Sequence, residues 1–402
     1  MSRLLHPFTP PAKDTGPFLN VASGKGAVLT LKDGREILDG MASLWYCNVG
    51  YGHPKVTEAI KAQLDTIHAH HIFDPFTNDP AEQAAAAIAE RSPMPGSKVF
   101  FAQSGSESVD TAIKLARAAQ VQAGHPEKTL VISRSNGYHG TAYGGTSAQG
   151  FPEYRAGWGE LVPGHIHVPG DDVEALASVF AERGAEIAAV LTEPVQGAGG
   201  IIPPPAGYLE AVRRLCTEHG ALYISDEVIC GFGRLGEWFG CQALGVQPDM
   251  ITFAKAVTSG YVPLGGVIVG DKALGMLESN EDWKLSHGFT YSGHHLACAA
   301  ALACIEVTEE EGLLERASVL GERLRSGLQA LVDDGLFPGL RGAGFMWAVH
   351  PPAGRTPIDI RWEVLEHNVI VRPMSDVVGF CPPLVATESQ VDQMVDALAA
   401  VA

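Results

Sequence analysis

Residues 249–260 read DMITFAKAVTSG. An apolar run with the composition of a buried strand ends on Lys255, and lysine is among the side chains least often fully buried. One candidate strand earlier, ALYIS (221–225) ends on Asp226, in SDEVICG. A carboxylate there must find a cation or hydrogen-bond donors. Further back, KVFFA (98–102) runs into QSGSES (103–108) and a helical pattern. Ser104, Gly105 and Ser106 therefore lie where backbone N–H groups and a helix dipole favour an anion. Each signal has a plainer reading. Ser106 could serve only as a helix N-cap, and Asp226 with Lys255 could be a structural ion pair.

Successive parallel strands are often neighbours, so Asp226 and Lys255 can face one crevice. An anion cradle, a carboxylate and an amine together match the phosphate, the cationic ring nitrogen and the aldehyde of pyridoxal 5'-phosphate. Lys255 would then form a Schiff base and later carry a proton, while Asp226 would keep the pyridine nitrogen protonated.

The elements that would hold these groups alternate. Candidate strands are KVFFA (98–102), TLVIS (129–133), IAAVLT (187–192), ALYIS (221–225), DMITFA (249–254) and GGVIVG (265–270). Amphipathic stretches such as 107–120 and 207–220 separate them, with Val109, Ala112, Ile113 and Ala116 on one helical face. The alternation predicts an α/β fold, a mostly parallel sheet covered by helices, with ligands beyond the carboxyl ends of the strands. After about residue 296 the pattern changes. Helical stretches at 296–310 and 311–334, short strands around 345–350 and 368–372, and a helix near 387–401 predict a smaller α+β unit. The expected division is a large domain over 46–295 and a small domain from 1–45 and 296–402.

Composition narrows the function. The 402 residues are 46% hydrophobic, and the formal net charge of −18 argues against nucleic acid or an anionic membrane as partner. Seven scattered cysteines without a CxxC pair suit a reducing compartment better than a disulfide framework. The opening MSRLLHPFTPPAKD reads as neither signal peptide nor anchor, and no apolar run is long enough to span a bilayer. A cytoplasmic protein is expected.

At this point the sequence resembles the class III, fold type I aminotransferases, closest to omega-transaminases that use pyruvate. The matching stretches are DGMASLWYCNVGYGHP (39–54), SGSESVDTAIKLAR (104–117), NGYHG (136–140), EPVQGAGGIIPP (193–204), DEVICGFGRLGEWFG (226–240), the lysine segment, GFTYSGH (288–294) and CPPLVAT (381–387). They run in the family's order from about residue 18 onwards. The resemblance implies a seven-stranded sheet and a homodimer with active sites at its interface. A tetramer is left open. It also implies a phosphate cup of Ser104, Gly105 and Ser106, completed by Thr290 of the other subunit. Tyr138 and His139 match the aromatic pair beside the cofactor, with Tyr138 and Val228 on opposite ring faces. Glu193 and Gln196 match groups near the ring hydroxyl and the substrate. Leu44, Trp45 and Ala198 match substrate-pocket positions, and Arg372 matches a mobile arginine that pairs with a substrate carboxylate. The plainer reading of Arg372 is a surface arginine after a strand.

Other motifs carry less. GFGRLG (231–236) fits the dinucleotide fingerprint, but it follows Asp226 at a distance and opens no good helix. HAHH (68–71) cannot place all three imidazoles on one face of a regular element, so no metal is expected; the dimer interface or pocket edge suits it better. Cys230 and Cys241 read as packing residues. The chain departs from the family at Ala256, where glycine is common, in a short N-terminal arm that leaves Phe18 and Leu19 to reach the pocket, and in a compressed stretch at 150–172. The expected activity is transfer of an amino group from a primary amine or amino acid to a keto acid. A lyase, decarboxylase or aminomutase on the same cofactor is the alternative.

Overall fold

The computed structural model describes residues 3–11 and 18–402. Residues 1–2 and 12–17, which belong to the expected small domain and N-terminal arm, lie outside the described residues. The seven-stranded sheet is present. Its strands are β1 (Lys98–Ala102), β2 (Leu130–Arg134), β3 (His165–Val168), β4 (Ile187–Thr192), β5 (Leu222–Asp226), β6 (Met250–Phe253) and β7 (Gly265–Val269). They lie in the order β1-β7-β6-β5-β4-β2-β3. Only β7 runs against its neighbours, pairing antiparallel with both β1 and β6.

Strand β3 escaped the sequence reading. Its HIHV alternates two histidines with two apolar residues at the sheet edge, so it lacks the continuous apolar run of the central strands. The central strands are buried on both faces, and the two-residue period shows which face each side chain takes. Val131, Leu191, Leu222, Ile224 and Met250 pack with Val109, Ile113 and Ala116 of α1 (Gly105–Gln122). Ile132, Val190, Tyr223 and Ile251 pack with Tyr208, Val212 and Leu215 of α2 (Tyr208–Glu218).

Two four-stranded sheets complete the fold. The expected strand at 368–372 is in fact divided between them. Val369–Ile370 pairs parallel with Glu36–Asp39, while Arg372–Met374 pairs antiparallel with Val377–Phe380. One core cluster therefore draws Leu38 and Val49 together with Leu320, Leu324, Phe345, Val364 and Leu398. Strand Leu340–Ala343, strand Val377–Phe380 and the three N-terminal strands, Val21–Lys25, Val28–Leu31 and Glu36–Asp39, are additions to the sequence reading.

The amino end of the parallel sheet is fastened by a buried cation. Lys128, 6% exposed, donates from Nζ to the carbonyl oxygens of Gly184, Ile187 and His219. Burial lowers its pKa, and the three acceptors hold the approaches to β2, β4 and β5 together. Lys128→Met fills the volume but leaves the carbonyls without a donor. Urea unfolding should show a loss of about 2–3 kcal/mol.

Candidate active site

The carboxyl ends of β1, β2, β4, β5 and β6 open on one cavity of about 370 Å³. Its lining includes Ser104, Gly105, Ser106, Tyr138, His139, Glu193, Asp226, Val228 and Lys255. Nine positions singled out in the sequence are thus brought together from five strand ends.

The anion cradle is built by the start of α1. Ser104, not Ser106, is the N-cap: its Oγ accepts from Glu107 N at 3.2 Å, and Glu107 Oε2 accepts from the backbone N–H of Gln103, one residue before the cap, at 2.7 Å. Ser106 is thereby released from capping, and its Oγ accepts from Thr141 N at 2.9 Å. Val228 closes over Gly105, where a Cβ would stand 2.8 Å from Val228 Cγ1. The opposite wall is as tight, since a Cβ at Gly140 would meet Ser106 Oγ at 2.6 Å.

Asp226 is buried and held by three donors. Thr252 Oγ1 and Val228 N donate to Oδ1 at 3.0 and 3.2 Å, and His139 Nδ1 lies 2.7 Å from Oδ2. His139 is itself 1% exposed, with Nε2 lacking a partner among the described residues. Glu193 accepts from Tyr138 N at 3.0 Å and Gly197 N at 2.9 Å. Its burial raises its pKa, His139 opposes the rise and Asp226 adds to it. Lys255 follows β6 at φ +51°, a backbone conformation that non-glycine residues seldom adopt and that costs about 1–3 kcal/mol. Burial lowers its pKa, while Asp226 and Glu193 pull it back up. Ala256 and Val257 point into the core beside it, so the methyl group at 256 is accommodated in a 3-10 turn over Lys255–Thr258.

Other expected residues fall outside this lining. Tyr138, which is itself in the lining, meets Tyr154 edge to face at 6.4 Å, and Phe8 meets Tyr154 at 5.6 Å. Arg372 is half-buried near both tyrosines, with Nε buried and lacking a partner among the described residues; burial lowers its pKa, and Tyr154 and Tyr138 oppose the shift. Ala198 is partly exposed. Gln196 is tied to Ser135 O at 2.8 Å and to Ile202 through paired backbone bonds. Thr290 is exposed, as are Phe18 and Leu19, and Phe18 stacks on His6 at 3.8 Å.

Leu44 and Trp45 sit on a strained turn, Ala42–Trp45. Ala42, Ser43 and Trp45 have φ of +46°, +59° and +69°. Trp45 is buried among Val195, Ile201 and Ile229, while Leu44 is exposed. Asp39, fully buried, accepts from Met41 N at 2.9 Å, Ser43 N at 2.6 Å and Tyr51 Oη at 2.5 Å. Burial raises its pKa against these bonds.

Sequence reasoning missed Tyr46, Thr258 and Gly260, which line the cavity, and Thr252, which supports Asp226. Thr252 was legible in principle: it stands opposite Asp226 in the register of β5 and β6. GFGRLG is a loop closed by Phe232 N to Trp238 O and Gly233 N to Glu237 O, without the helix that a dinucleotide cradle needs. Among the described residues no cluster of His, Cys, Asp or Glu is placed to hold a metal. Cys230 and Cys241 are buried in the core, and burial pushes both thiols well above their ordinary pKa.

The arrangement fits pyridoxal phosphate on its own terms. The serine-lined cradle that a methyl group at 105 would fill suits a phosphate, the caged carboxylate suits a cationic ring nitrogen, and the sunken amine suits an aldehyde. Comparison with known proteins is decisive: the model of the family "Aminotransferase class-III" matches residues 10–402. The chain is a class III aminotransferase.

Its cofactor is pyridoxal phosphate, and this aminotransferase is similar along its length to several others. The diaminobutyrate–2-oxoglutarate transaminase of Halomonas elongata is 36% identical, covering 93% of this chain and 88% of its own. The putrescine–pyruvate aminotransferase of Pseudomonas aeruginosa is 35% identical with the same coverage. An amine transaminase from an uncultivated Pseudomonas species, solved in its PLP-bound form, superposes with a TM-score of 0.94 at 34% identity, covering 100% of this chain and 98% of that one. Among the described residues of the aminotransferase, no helix is long and apolar enough to cross a membrane.

Gly105→Ala tests the cradle. The new methyl must displace Val228, so cofactor affinity should fall by about tenfold or more while the far-ultraviolet spectrum is unchanged. Titration of the apoprotein with pyridoxal phosphate, followed by absorbance, reads this directly.

Proposed function

We propose that this aminotransferase is an omega-transaminase, taking the amino group of a primary amine or amino acid and delivering it to a small keto acid, pyruvate. The observation that carries the reading is the convergence of the Lys255 amine, the Asp226 carboxylate and the Gly105 cradle on one cavity. The relative that names pyruvate supports that acceptor, and the one that names 2-oxoglutarate supplies the competitor to be tested beside it.

Pyridoxal phosphate, when bound, supplies a carbonyl that condenses with amines and a ring that accepts the electron pair released at the substrate's α carbon. The chain's own residues do the rest. Ser104, Gly105 and Ser106 would hold the phosphate, and Tyr138 and Val228 would enclose the ring. Asp226, fixed by Thr252 and His139, holds a proton at the ring nitrogen. Glu193 stands near the ring hydroxyl. Lys255 tethers the cofactor and, once freed, removes the proton from the substrate's α carbon as a neutral amine. Arg372 receives the keto acid's carboxylate, for which a planar guanidinium is suited; Leu44, Trp45 and Ala198 bound the substrate's side groups.

The active assembly in this reading is a homodimer. Thr290 is exposed beside Tyr291, and Phe73 and Phe76 are exposed on the neighbouring loop, which gives an apolar face for a second copy and lets Thr290 reach its phosphate. Histidines 68, 70 and 71 belong to the same face. In this reading the chain divides into a large domain over 46–295 and a small one from 1–45 and 296–402. Seven free, buried cysteines favour a cytoplasmic setting.

Lys255→Ala should still bind the cofactor but lose turnover by on the order of 10³-fold or more. Full turnover would overturn the assignment, and cofactor-dependent loss of carbon dioxide or ammonia without amino transfer would point to a lyase. An ordinary lysine titrates near 10.5, and burial lowers Lys255 below that. The neutral amine is therefore populated at lower pH, and kcat should rise with pH through this depressed pKa and then level off. Arg372→Gln removes the carboxylate partner. KM for pyruvate should rise by about 10–100-fold, from the loss of a charge-assisted hydrogen-bond pair, with the half-reaction of a simple amine little affected.

A further inference from the structure

Of the residues lining the cavity, Tyr46 alone comes from the first hundred positions. Its ring is wedged. On one side lies Gly260, where a Cβ would stand 2.4 Å from both Cδ2 and Cε2 of the ring. On the other, its hydroxyl accepts from Ser43 Oγ at 2.6 Å. Its backbone N–H is committed to Ala42 O at 2.9 Å. The ring is therefore fixed at both ends, and it enters the cavity beside Gly260, Val262, Pro263 and Leu264.

The turn that delivers Tyr46 would not adopt this shape unaided. Ser43 has φ +59° and ψ −101°, a conformation that glycine takes readily and serine does not. Asp39 holds it there. One carboxylate oxygen accepts from Met41 N, and the other accepts from Ser43 N and Tyr51 Oη. Tyr51 is anchored in turn by paired backbone bonds with Gly26. Asp39 lies opposite Ile370 in a parallel strand pair, two residues before Arg372. The wall that Tyr46 presents is thus referenced to the strand Val369–Ile370, which ends two residues before the proposed carboxylate-binding arginine.

We propose that Tyr46 is a specificity-determining residue of this site, limiting the size of one substituent on the carbon bearing the amino group, and that Asp39 is the positioning residue that holds Tyr46 in place. A ring packed against a bare glycine and tethered through its hydroxyl cannot withdraw to admit a larger group. Primary amines with a methyl-sized substituent on that side fit, and longer ones meet the ring. The assignment rests on the amine-to-keto-acid reading above.

The experiment compares kcat/KM for isopropylamine, sec-butylamine and 3-aminopentane, each with pyruvate as acceptor. In Tyr46→Ala the ratio of 3-aminopentane to isopropylamine should rise by about tenfold or more. Asp39→Asn places an amide N–H against a donor, and should move the same ratio in the same direction through KM rather than kcat. Tyr51→Phe removes one of the bonds to Asp39 without that clash and should give a smaller shift of the same sign, so it carries the test if Asp39→Asn does not fold. An unchanged ratio in Tyr46→Ala, or a uniform fall for every donor in the Asp39 and Tyr51 variants, overturns the proposal. Wild-type protein that aminates pyruvate from none of the three, while turning over a diamine or an amino acid, overturns the proposal and leaves the transaminase reading standing. Failure with every donor class overturns both.

Discussion

Asp226 imposes the constraint on which the site depends. A carboxylate withdrawn from water must be surrounded by donors, and each donor must itself be held. His139 supplies one from the segment after β2, Thr252 one from β6, and the backbone of Val228 a third. Satisfying this single group ties three parts of the sheet's carboxyl edge into a fixed relation. Val228, held by that bond, is also the side chain that closes over Gly105. The buried carboxylate and the serine-lined cradle are therefore positioned by one network.

Backbone strain gathers around the same region. Lys255, Ser259, Ala42, Ser43 and Trp45 all have positive φ, and all lie within a few residues of cavity-lining positions. Such conformations persist only where the surroundings over-determine them. Here the over-determination is visible: Ser259 Oγ accepts from Val49 N at 3.0 Å, and Asn48 donates to Phe232 O while accepting from Arg234. Arg234 is wholly buried, and its Nη1 donates to the carbonyls of Phe345 and Pro382. The loop that mimics a dinucleotide fingerprint thus spends its arginine on bracing the strained turn's neighbourhood.

What could be read from the sequence followed a physical division. The central strands were legible because burial on both faces demands unbroken apolar runs, and the cavity's polar lining was legible because Lys255, Asp226 and Ser104–Ser106 all stand where such runs stop. The edge strand HIHV was not, because an edge strand is free to be polar. The split at Val371 was not, because the apolar residues 369–371 carry no mark of where one sheet ends and the next begins. Tyr46 escaped for a different reason. Its place depends on left-handed residues that are not glycine, and nothing in serine or alanine announces that conformation. Ser106 was credited with capping because either serine could cap; only the bond from Glu107 N decides between them.

The split strand also sets a clock. Arg372 is fastened on one side by the pairing of Val369–Ile370 with Leu38–Asp39, and on its own side by the pairing of Arg372–Met374 with Val377–Gly379. Its main chain has no slack. Any reorientation of its guanidinium is therefore accommodated by rotation about side-chain bonds and not by the microsecond opening of a loop. The guanidinium can then change partners while the two sheet edges that flank it stay where they are.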